Sequence, residues 1–327
     1  MEEINIKINS KIKTIISQNE GSGEIIKKEK IKEYDVSVDF DEKLNFIISK
    51  ADVDSILDMI EPQGIDPTIT PFREKIEELN NSILRLFSEK FKANNEMQFL
   101  VNIISDDKKI FGLPWEIIKM DYQNTFCKLK NVIIRRLWGG SDNIEIKNGA
   151  VFCSSINNFQ NLIDDISADM LAEAQIIKNN FKNSSLILPD IDEYQKNNEL
   201  LGFSGDVVHL AGHGDISGMH IRDKKYITKE ELAQVRGKFF YLNFCHSSTQ
   251  TKYVDSIANY LLDNNKMLKY VIGMRNKINS KYALEFSNNF YINLKETNNV
   301  VKSFAYANKM TSSSDGHEFY SVVLYQK

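Results

Sequence analysis

The chain has 327 residues, 42% of them hydrophobic and 26% charged, with a formal net charge of −4. That is enough apolar material for one large domain or two modest ones without staples, and no basic excess argues for direct nucleic-acid binding. Only three cysteines occur, Cys127, Cys153 and Cys245, without paired spacing, so a disulfide framework or a zinc ribbon is not expected.

The opening stretch MEEINIKINS has no basic segment leading into an apolar one, and no apolar run reaches 18 residues. A cytoplasmic protein with free thiols, no secretory signal and no membrane association is expected. Residues 1–60 mix alternating runs such as YDVSVDF (34–40), which reads as a half-buried strand, with the helix-like DVDSILDMIE. EPQGIDPTITP (61–71) holds three of the five prolines and reads as a loop. Apolar residues at 72, 76, 79, 83, 86 and 87 predict a helix over 71–91, with Thr70 as cap. EMQFLVNIIS (96–105) and NVIIRRL (131–137) read as strands, and GGSDN (139–143) marks a soft boundary. These breaks divide the chain into an α+β region at 1–95, a connecting part at 96–145 and a larger unit at 146–327.

From 148 onward, strands and helices alternate. GAVFCSS, SLILP, DVVHLAG, KFFYLNFC and KYVIGM read as strands, as does the closing EFYSVVLYQ. A helix over 164–181 carries an apolar stripe at Ile166, Met170, Leu171, Ala174 and Ile177. Thr228 and Glu231 form a capping box that starts another helix, and three more follow at 253–264, 279–296 and 298–310. The pattern predicts an α/β fold with a doubly wound, mostly parallel sheet and helices on both faces.

In such a sheet the working groups sit beyond the carboxyl ends of the strands. Two ends are chemically loaded: AGHG with His213 and NFCHSS with Cys245, 32 residues apart. A short connection of that length suits neighbouring strands, so the two side chains can meet at one rim. Histidine beside cysteine is a base–nucleophile pair, and the N–H groups of Gly214 and Cys245 could face a developing oxyanion. A structural histidine and a small core cysteine are the competing readings on spacing alone. A zinc site is not expected: on a strand His209 and His213 are about 13 Å apart, too far to share one ion.

HLAGHG followed by LNFCHSS resembles the caspase-like cysteine proteases of clan CD, and is similar to the SGHG…DCCHSG pattern of metacaspases. LPWEIIKMDYQNTFCKLKNVIIRRL (113–137) and YVIGMRNKINSKYALEFSNNFYINL (270–294) resemble the corresponding blocks of CHAT-domain proteins, a family of the same clan. The resemblance spans roughly residues 95–327, with four blocks in order. It implies a cysteine endopeptidase with His213 as general base, Cys245 as nucleophile, and Gly214 and Cys245 as oxyanion donors, working without cofactor or metal. It also implies a protein substrate and activation by a protein partner in bacterial defence or regulation, with residues 1–95 as extra scaffold or a partner surface. A catalytically silent scaffold of the same fold is the alternative. The chain departs from the metacaspase pattern at Asn243, which stands where relatives carry an aspartate that draws a basic side chain. Asn243, Asp215 and Arg275 are the candidates for substrate binding. Trp115 and Glu116 are expected to pack and pin a loop.

Overall fold

In the computed structural model, the described residues are 1–18, 25–38, 45–58, 98–116, 132–138, 144–153, 165–181, 187–188, 192–221, 225–311 and 321–327. The predicted loop at 61–71, the helix over 71–91, the GGSDN break and Cys127 lie outside them.

The chain opens with a long hairpin, β1 (Glu2–Gln18) against β2 (Ile25–Val38), followed by β3 (Asn45–Ser49) and helix α1 (Lys50–Asp58). Strand β4 (Phe99–Ser105), the short helix α2 (Lys108–Gly112) and strand β5 (Val132–Leu137) come next. The second half runs through β6 (Gly149–Cys153), α3 (Asp165–Asn180), β7 (Ile187–Leu188) and the short α4 (Glu193–Gln195) to β8 (Ser204–Ala211). After β8 come β9 (Gly214–Asp215), β10 (Gly218–Ile221) and β11 (Lys225–Thr228), which form a separate three-stranded sheet. Helix α5 (Lys229–Leu232), with its Thr228–Glu231 capping box formed as predicted, leads into β12 (Arg236–Asn243). Helix α6 (Ile257–Asn264), strand β13 (Tyr270–Met274), helices α7 (Ser280–Thr297) and α8 (Val300–Met310), and strand β14 (Val322–Gln326) complete it.

Among the described residues, eleven strands form one sheet in the order β3-β2-β1-β4-β5-β14-β13-β12-β8-β6-β7. Pairing is parallel except for β1–β2, β2–β3 and β13–β14. The expected mostly parallel α/β sheet is therefore present. It runs without a break from the N-terminal hairpin, whose β1 pairs in parallel with β4.

Strand side chains alternate between the two faces, so each strand feeds two cores. On one face Val208, Leu210, Phe240 and Leu242 pack with Val53 and Ile56 of α1, Phe111 of α2 and Leu261 of α6. On the other, Val207, Ala211, Phe239 and Tyr241 pack with Ala174 and Ile177 of α3, Phe286 and Phe290 of α7, and Phe304 of α8. The second face receives His209 and Asn243 by the same alternation, which aims both at α3 and α7.

Candidate active site

Strands β8 and β12 are adjacent and parallel, and their last registered pair is Ala211 with Asn243. His213 lies two residues past Ala211, and Cys245 two residues past Asn243. Neighbouring strands are about 4.8 Å apart. The register thus delivers both side chains to the same level at the carboxyl edge of the sheet. Gly212 N–H bonds Asn243 C=O at 3.2 Å and holds the two exits together. His213, Cys245 and Asn243 line one pocket, with Gly212, Phe244, residues of α3 and the segment entering α7.

The chain around His213 is fixed by β10: His220 N–H bonds the His213 carbonyl at 2.8 Å. Gly214 pairs with Met219 in the small sheet. A Cβ at Gly214 would run into the ring of Phe244 and lie 2.7 Å from the Gly218 carbonyl, so only glycine fits beside the histidine.

After Cys245 the chain turns sharply, with His246 in the left-handed region at φ 63°. The turn is stitched to the end of β13. Ser248 N–H bonds Met274 C=O, Ser247 Oγ donates to Leu242 C=O and accepts from Met274 N–H, and Thr249 Oγ1 donates to Arg275 C=O. Ser248 sits directly on Gly273, where any side chain would collide with its hydroxyl. Cys245 is a free thiol, half-buried; burial pushes its thiol up, against the lowering effect of the Ile278 backbone and Lys277. Burial likewise pulls the buried His246 imidazole down.

Asn243 is buried, and its Nδ2 donates to both carboxylate oxygens of Glu173 at 2.7 Å each. Glu173 Oε1 is 3.2 Å from His209 Nε2, and His209 Nδ1 meets Tyr291 Oη at 2.9 Å. His209 is therefore fully enclosed in a polar network behind the site, stacked on Tyr241. Glu173 is a residue that counting apolar positions misses. It lies on the same face of α3 as Met170, Ala174 and Ile177, and is a carboxylate in an otherwise apolar stripe. Leu171, assigned to that stripe, is instead exposed, since one residue past Met170 is rotated about 100° around the helix.

Two of the expected substrate-binding residues are engaged elsewhere. Asp215 accepts from Ser217 N–H at 2.7 Å and lies 3.2 Å from His220 Nε2. Burial raises its carboxyl, but these two partners outweigh that and hold it below the usual carboxylate range. Arg275 does not reach the pocket. It is 1% exposed, with one guanidinium nitrogen on Glu116 at 2.8 Å and another on the Leu113 carbonyl at 3.1 Å. Glu116 also holds Arg136 of β5, so PWE is a pinning segment, with Trp115 Nε1 donating to Ile110 C=O at 2.7 Å. Asp206 anchors the start of β8, accepting from the backbone N–H of Lys147 and Asn148 and from Lys238 at 2.6 Å.

Among the described residues no three His, Cys, Asp or Glu side chains cluster as metal ligands, and no helix is long and apolar enough to cross a membrane.

The fold has solved counterparts. The Arg-specific cysteine proteinase gingipain R (RgpB) aligns with 85% of this chain and 74% of its own, at a TM-score of 0.54 and 13% identity. The complex of Porphyromonas gingivalis RgpB pro- and mature domains gives 0.53 and 13%, over 85% of this chain and 76% of that one. The separase–securin complex of Saccharomyces cerevisiae overlaps 88% of this chain but 20% of its own, at 15% identity and a TM-score of 0.47. No protein-family model matches the sequence, and no curated protein is similar to it by sequence. At 13% identity the gingipain match is one of fold, and the chain has that caspase-like α/β architecture.

Proposed function

We propose that this chain is a cysteine endopeptidase whose nucleophile is Cys245 and whose general base is His213. The observation that carries the reading is the register of β8 and β12, which brings both residues to one pocket from equivalent positions past paired strand ends. The gingipain-like fold and the resemblance to CHAT-domain and metacaspase motifs support it.

In the proposed reaction His213 takes the thiol proton and Cys245 Sγ attacks the scissile carbonyl carbon. The N–H groups of Gly214 and Cys245 receive the oxyanion. Collapse breaks the C–N bond, His213 returns the proton to the departing amine, and a thioester remains on Cys245. Water deprotonated by His213 then hydrolyses the thioester and frees the thiol.

The reading includes latency. Burial pushes the Cys245 thiol above its ordinary range, which disfavours the thiolate that attack needs. A protein partner that opens or rearranges the pocket would relieve this. Binding to residues 1–95 would supply such a partner's footing, as in a defence or regulatory system inside the cell.

Labelling of Cys245 by iodoacetamide, followed by intact mass against pH, tests both parts. The expected midpoint lies above the ordinary thiol value of about 8.5. A peptidyl acyloxymethyl ketone, which needs the oriented pair, should label wild type at Cys245, slowly in the latent state, and fail with His213→Ala. Labelling by iodoacetamide with no reaction toward any peptidyl probe, even with the activating partner present, would leave a silent binding module of the same fold. A midpoint below about 7 would remove the latency.

A further inference from the structure

The pocket beside Cys245 has a definite chemistry, and the inference from it rests on the peptidase reading. Its floor is Asn243 and Glu173. Asn243 spends its amide nitrogen on both oxygens of Glu173, which fixes the amide and leaves Oδ1, an acceptor, as what it can offer an occupant. Asp169 adds a second carboxylate at the rim, held by Ser280 Oγ at 2.6 Å. Met170, Ile278 and Ala283 supply apolar walls. Among the described residues no lysine or arginine lines the pocket.

Glu173 is 2% exposed. Among the described residues, the group able to carry positive charge that lies against it is His209, whose Nε2 is 3.2 Å away but forms no hydrogen bond with it. A carboxylate enclosed this deeply needs a cation or several donors to offset the loss of water. An aliphatic guest would seal it in without one, and an acidic guest would meet two like charges. The guest that matches has an apolar stem and a head made only of donors.

We propose that the pocket receives the substrate side chain preceding the scissile bond and selects arginine or lysine, with Glu173 as the specificity-determining group. The charge comes from α3 by way of Asn243, and not from β12 itself. Apolar walls bury the methylenes while the head reaches Glu173.

Matched peptidyl acyloxymethyl ketones ending in Arg, Lys, Leu or Asp, read as the rate of Cys245 labelling, test this. The Arg and Lys probes should react at least about tenfold faster than Leu, the ratio a charge-assisted hydrogen bond supplies. Glu173→Gln should erase that ratio. Met170→Lys, which places a cation in the pocket one helical turn from Glu173 and substitutes neither Asn243 nor Glu173, should erase it too, and it covers the case in which Glu173→Gln folds poorly. Equal or faster reaction of the Leu or Asp probe, or a ratio that survives both substitutions, overturns the proposal. Agmatine separates the pocket from the peptidase. It should protect Cys245 from iodoacetamide in wild type and not in either variant, even if every peptidyl probe is inert and the peptidase reading falls. Absence of agmatine protection together with inert probes overturns both.

Discussion

Gly214 shows how tightly single residues are specified at this site. Its neighbours leave no volume for a methyl group: Phe244 precedes the thiol and Gly218 belongs to the turn that holds His213. Gly214→Ala must therefore push apart the two strand exits that the proposed chemistry needs together. Overpacking of this kind costs about 1–3 kcal/mol. The expected outcome is that loss in urea denaturation, together with slower peptidyl-probe labelling of Cys245; unchanged values of both would show that the exits are not coupled. At this scale the sequence was only partly legible. His213 and Cys245 stand out because histidine and cysteine end apolar strands, and alternation alone turns Asn243 toward the pocket side. Glu173 could not be found this way, since its partner is seventy positions away and no local pattern joins them. Arg275 looked available because it follows a buried strand, yet its charge is consumed by an acid from the first half of the chain.

The strands of the second half were readable because each is a short apolar run bounded by turn residues, and the helices because their stripes repeat at helical spacing. The N-terminal hairpin was not readable in its length. Its strands carry Lys, Glu, Thr and Ser among the isoleucines, so alternation breaks into fragments, while the actual pairing runs from Ile6–Val38 to Gln18–Ile25. Pairing of β1 with β4 ends at Ile8–Ser105, and β3 covers β2 only over residues 33–37. The rest of the hairpin is a two-stranded ribbon among the described residues, with Ile12 exposed and cross-strand pairs such as Lys11–Asp35 on the surface. Ribbons of two strands contribute little stability, and exposed ion pairs little more. Replacing residues 13–31 by an Asn-Gly turn should leave the melting temperature within about 2 °C of wild type, since less than 1 kcal/mol is removed. A larger drop would mean that the ribbon packs on something. If the ribbon is footing for an activator, the same deletion removes activation while the intrinsic iodoacetamide labelling of Cys245 stays as it was.

Across the whole molecule, one buried ion cluster ties the first half to the site. Glu116 lies between Arg136 on β5 and Arg275 at the exit of β13, and all three are almost fully enclosed. Burial works against both guanidinium charges. For Arg136, contact with Glu116 outweighs that and holds the group up; for Arg275, the neighbouring Arg136 adds to burial and holds it down. The carbonyl of Arg275 in turn receives the hydroxyl of Thr249 in the turn after Cys245. Removing one partner from such a cluster leaves buried charge uncompensated, which costs about 3–5 kcal/mol. Glu116→Ala should lose that much in urea denaturation, whereas Glu116→Gln, which keeps acceptors in place, should lose less. High salt should change neither value, because enclosed pairs are screened far less than surface ones. Arg275→Ala then separates anchoring from substrate contact. Its expected signature is lowered stability with the Arg-to-Leu probe ratio retained in the folded fraction. A ratio that collapsed with stability intact would return Arg275 to the pocket and break the link drawn between this cluster and the turn that carries the thiol.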